Sequence, residues 1–169
     1  MPISNVPPRI SRNAVTLDQI DAACRHVGEL IALGMTENLA IRNLELFANV
    51  YAKLRIVGNA SPDHFDQFEL WSLAARRLQA EANGRPTGRS LRCEHGTPRR
   101  QFARLVLQAW ERGEFSREWL DALCDERWKV AVITIEEDTR LNRIARTKLF
   151  ASPEERWKAA AIDFGDLAS

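Results

Sequence analysis

Trp128-Lys129-Val130-Ala131-Val132-Ile133-Thr134 is short, apolar and β-branched in a chain whose punctuation is otherwise helical. Such a run reads as a buried strand. A strand needs a neighbour for its backbone groups. The one other stretch with extended character is Ser90-Leu91-Arg92-Cys93-Glu94. Paired, the two predict a small two-stranded β-ribbon in the C-terminal half of a mainly α fold, a helical bundle.

The helices are legible outward from that ribbon. Thr134 and Glu137 have the spacing of a capping box for a helix running toward Arg146. Ser152-Pro153-Glu154-Glu155 repeats the signal for a last helix through Ala161. Upstream, Ser116 caps a short helix through Leu123. Thr97-Pro98 opens another, with Phe102, Leu105, Val106, Ala109 and Trp110 as its buried face and Gly113 at its end. Gly84-Arg85-Pro86-Thr87-Gly88 is the densest run of breakers. It separates a bundle over residues 16–84 from a mixed α/β part, residues 89–164, of the same compact domain.

Within the bundle, Leu17, Ile20, Cys24, Val27 and Ile31 share one face of a helix ending at Gly34. Thr36 caps a second, with Ala40, Leu44, Phe47, Tyr51 and Leu54 inward and Gly58 at its end. Ser61-Pro62 opens a third, with Phe65, Phe68, Trp71 and Leu78 inward, closing at Gly84. Residues 1–15 carry Pro2, Pro7 and Pro8 without periodicity and read as an arm, disordered alone or ordered by packing on a partner. The predicted core includes Phe47, Leu54, Phe68, Phe102, Trp110, Val130, Val132 and Ile133.

Charge narrows the function classes. The 169 residues hold 24 basic and 23 acidic side chains, which argues against a protein that coats DNA and against an acidic mimic of it. The distribution is uneven: Arg76 to Arg104 holds eight arginines and two acids, Glu111 to Asp138 nine acids and four bases. A basic face over residues 76–104 would suit a DNA or RNA backbone. Three scattered cysteines without a CxxC pair predict reduced thiols in a cytoplasmic protein. No apolar run approaches the roughly 20 residues of a membrane span, and no signal core is visible at the start.

The chemistry concentrates in Arg92-Cys93-Glu94-His95-Gly96-Thr97-Pro98-Arg99-Arg100. Adjacent strand residues point to opposite faces, but at a strand end relaxed by Gly96, Glu94 and His95 could serve one pocket. Arg99, Arg100 and Arg104 follow at a helix start, where free amides attract anions, so phosphate is their natural ligand. The bland alternative stays open: Glu94 pairs with an arginine and His95 closes a turn. Asp138 and Asn142, four apart, share a helical face and offer oxygens to a divalent cation. They serve equally as partners of a helix dipole. His26 and His64 have bland readings, one beside a buried face and one on the surface. Trp119 and Trp128 flank the acidic segment Asp121 to Arg127, where an exposed indole would make a protein-binding hot spot.

A strand ending in acid-His-x-x-Pro, a second strand, and a helix with ligands at four-residue spacing resembles the HNH endonucleases with their ββα-metal core. The resemblance covers residues 90–142. It implies Glu94 and Asp138 as metal ligands, His95 as general base and Asn142 as an orienting residue around one divalent ion. The chain departs from the pattern with Glu-His where Asp-His is usual, Asp as second ligand, and two helices between the strands.

Two functions follow. The first is a non-catalytic interaction or regulatory protein, of antitoxin, immunity or phage- or plasmid-encoded type, needing no cofactor. Its partner, another protein or a second copy, would meet residues 1–15 and the apolar helix over 41–54, so dimerisation is expected. The alternative is a metal-dependent phosphodiesterase using His95.

Overall fold

The computed structural model describes residues 15–58, 65, 68–83, 89–146 and 148–165. The expectations for the arm up to residue 14, for the Ser61-Pro62 helix start, for His64 and for the loop 84–88 lie outside the described residues. Val15 packs against the main core.

Three helices come first: α1 (Leu17–Ala32), α2 (Glu37–Ala40) and α3 (Arg42–Val57). The capping box of α1 is built from Thr16 and Gln19. The helix expected from Thr36 to Gly58 is two helices, because the chain pivots at Ile41, whose side chain is fully buried. Gly58 closes α3 in the left-handed conformation.

A helix was expected through Phe68, Trp71 and Leu78. The chain instead forms a strand, β1 (Leu70–Trp71), and a helix, α4 (Leu73–Glu81), capped by Ser72. Next come β2 (Leu91–His95), α5 (Arg99–Glu111), α6 (Arg117–Arg127), β3 (Val130–Thr134), α7 (Ile135–Ala145) and α8 (Pro153–Ala159). The Thr134–Glu137 capping box and the Ser116 and Ser152 caps form as expected.

The two-stranded ribbon is therefore corrected to a three-stranded mixed sheet of order β1-β3-β2. β2 runs antiparallel to β3, with Cys93 opposite Val132 and Glu94 opposite Ala131. β1 runs parallel to β3, with Leu70 opposite Ala131. Every residue of β3 is buried, so its backbone groups need partners on both edges. A two-residue strand shows no periodicity in the sequence, and its partner lies far along the chain.

The sheet divides two cores. Val130 and Val132 face a large one shared with Ile20, Val27, Leu44, Phe102, Val106 and Leu120. Ala131 and Ile133 face a smaller one with Leu141, Ala145, Trp157 and Ile162. Of the predicted core, Phe68, Phe102, Val130, Val132 and Ile133 are buried. Phe47, Leu54 and Trp110 are only half-buried. The buried stripe of α3 runs through Leu44, Ala48, Tyr51 and Ala52, beside the Phe47–Leu54 row. Trp110 stays at the rim, where its Nε1 donates to Asp21 at 2.7 Å. Trp128 is buried and Trp119 half-buried, and the acidic segment between them, Asp121 to Arg127, lies within α6. His26 is exposed on α1.

α3 packs against α1, α5 and α6 at once. That explains why it is apolar on more than one side; of the 41–54 segment, only Leu46 remains an exposed large apolar side chain. No described helix is long and apolar enough to cross a membrane.

Candidate functional site

The β2–β3 register decides how Glu94 and His95 are used. Alternation sends Cys93 toward the large core, and with it His95, whose cross-strand partner is Val130. Glu94, opposite Ala131, turns to the other side, toward α7 and α8. The pair therefore does not share one pocket.

On its side, Glu94 is held by the guanidinium of Arg156 from α8. Arg156 is 4% exposed and also donates to the carbonyls of Ala145 at 3.3 Å and His95 at 3.0 Å. Burial pushes the Glu94 carboxyl above the usual carboxylate range; Arg156 opposes this and Asp138 adds to it. Asp138 lies on α7 and accepts a hydrogen bond from Asn142 Nδ2 at 3.0 Å.

On the opposite side, the His95 ring stacks on Trp128, centroids 4.7 Å apart and planes 26° from parallel. His95 Nδ1 and Trp128 Nε1 are buried without a hydrogen-bond partner among the described residues. Burial pulls the imidazole down to about 3, with Lys53, Arg99 and Arg156 adding their charges. The ring is neutral at physiological pH, and it is half-buried with one face on Trp128 and its Nδ1 turned inward. On the same face, burial pushes the Cys93 thiol up to about 11 despite the pull of Lys53, which keeps it protonated.

These placements bear on the divalent ion that the HNH resemblance implies. The cation that Glu94 holds is Arg156, and His95 faces away. No group of three His, Cys, Asp or Glu side chains among the described residues is arranged to hold a metal. The residues do not fit the ion.

The arginines are brought together. Arg104 pairs with Glu37, and Arg100 with Glu45 at 3.7 Å while also donating to Asn38 at 3.3 Å. Arg99 is exposed and has no ion pair among the described residues. α5 begins at Pro98 with no side-chain cap and no acid in its first turn.

Three participants were missed in the sequence: Arg156, Lys53 and Arg146. Arg156 had a signal. Pro153, Arg156, Trp157 and Ala160 are spaced as one helical face, and all are buried. An arginine in a core stripe demands a buried carboxylate. Lys53 and Arg146 carried no such mark.

No family model matches the chain, and neither a curated protein nor a solved structure matches it.

Proposed function

We propose that this protein is a non-catalytic interaction or regulatory protein that docks another protein chain, or a second copy of itself, at the corner formed by α1, α2 and α3. The observation that carries this is the apolar surface there. Ile31, Leu33, Met35, Leu39 and Leu46 are five of the eight large exposed apolar side chains among the described residues. Leu33 is 84% exposed, Leu39 58% and Leu46 56%. Single exposed leucines are ordinary, but five on consecutive elements that pack on one another are characteristic of a docking surface. The engagement of Glu94 by Arg156 and of His95 by Trp128 supports the same reading. Three free thiols support a reducing compartment, which we take to be the cytoplasm.

Two measurements test it. Sedimentation velocity of the full chain at micromolar concentration should show self-association, lost in Leu33→Glu/Leu39→Glu/Leu46→Glu with an unchanged melting temperature. A wild type that is monomeric throughout removes the second copy as the partner. Phosphodiester cleavage assayed with magnesium, manganese, nickel and zinc should be absent in wild type and in His95→Ala alike. Cleavage by wild type that disappears in His95→Ala overturns the non-catalytic reading.

A further inference from the structure

Three segments distant in sequence meet in a groove of about 520 Å³. The start of α5 supplies Arg99, Arg100 and Arg104; the end of α7 supplies Arg146; α2 and α3 supply Asn38 and Glu45. Four guanidiniums in one groove repel one another unless counter-charges lie among them. The chain provides two acids: Glu45 pairs with Arg100, and Glu37 with Arg104. Arg99 and Arg146 are exposed and have no ion-pair partner among the described residues. The excess charge is felt by its neighbours: Arg99 helps pull both Lys53 and His95 below their usual values, after burial.

We propose that this groove is a binding site for a phosphate group, with Arg99 and Arg146 as its primary ligands and Arg100 and Arg104 as partners held in place by Glu45 and Glu37. Guanidinium is the side chain suited to this task, because its planar fork meets two phosphate oxygens at once. The helix start adds to it: positive side chains in a first turn are unfavourable to the helix dipole, and a bound anion removes that conflict. Asn38 Oδ1 already orients Arg100. The site is separate from the apolar corner and does not depend on the docking reading, although α2 borders both. One ligand chemistry has two sources here, a free nucleotide or polyphosphate and the backbone of a nucleic acid.

The test titrates the full chain with pyrophosphate, with a mononucleoside triphosphate, and with labelled 20-mer DNA and RNA at several salt concentrations. Arg99→Ala/Arg146→Ala is the informative variant, since neither residue loses an internal partner and the melting temperature should hold. Arg112→Ala, remote from the groove, is the control. Wild type should bind, the double variant at least tenfold more weakly, and the control equally well. Binding of the oligonucleotides alone, with a log–log salt slope that falls by about two in the double variant, identifies the backbone as source. Binding of pyrophosphate or the nucleotide with a stoichiometry of one identifies a small ligand. No binding of any probe at low salt, or equal binding by wild type and the double variant, overturns the proposal.

Discussion

Arg156 closes an ion pair with Glu94 across the face of the sheet that α7 and α8 cover, and both side chains are largely withdrawn from water, at 4% and 14% exposure. A buried pair of this kind contributes little net stability against an apolar alternative, but losing one partner strands the other. Arg156→Ala should therefore cost about 3–5 kcal/mol in urea unfolding. Glu94→Gln should cost less, because Arg156 keeps the carbonyls of Ala145 and His95. Glu94→Leu/Arg156→Met should recover most of the loss. A single Arg156→Ala variant as stable as wild type would show that the pair is not sealed from solvent.

His95 gives the molecule a defined acid sensitivity. Its imidazole titrates near 6.5 when unfolded but is pulled down to about 3 by burial and nearby cations. The folded state therefore takes up its proton later than the unfolded one. The stability that goes with the neutral ring is complete above about pH 6.5 and is lost as pH falls from there toward 3, at up to about 1.4 kcal/mol per pH unit. His95→Phe keeps the stack on Trp128 and cannot be protonated. Thermal melts between pH 7 and 4 should show a shallower decline for His95→Phe than for wild type. Parallel curves would mean that the ring is solvated.

Gly96 is required by proximity. A Cβ there would run into the Cβ of Pro153 and lie 2.9 Å from Cζ2 of Trp157. Gly96→Ala should push α8 away from the end of β2 and cost about 1–3 kcal/mol. Near-ultraviolet circular dichroism, reporting on Trp157, should change with it.

Ser72 ties the third strand to the rest. Its hydroxyl donates to Glu137 Oε2 at 2.6 Å and accepts from Ala75 N at 3.1 Å, joining the starts of α4 and α7. Ser72 is fully buried, so Ser72→Ala removes a cap and deprives a buried carboxylate of a donor. A loss of about 2–3 kcal/mol is expected. Hydrogen exchange at Ser72 and Leu73, whose amides bond Val132 and Asp163, should accelerate ahead of exchange in α3. Uniform exchange would place this joint within the global unfolding unit.

By itself the sequence determined what depends on neighbours a few residues apart. The caps at Ser116, Thr134 and Ser152 and the strand at Val130–Thr134 are of this kind, since hydrogen bonds to the first helical turn and β-branched packing are local. It also marked the arginines at the start of α5. Long-range pairing was decided by the tertiary structure. β1 is too short to show a period and exists because the buried β3 requires a second edge partner. Glu94 and His95 looked like one site because they are adjacent, yet the pleat of β2 sends them to opposite cores. The stripe Pro153, Arg156, Trp157 and Ala160 announced a buried arginine, but only the packing of α8 against the end of β2 could name Glu94 as its partner.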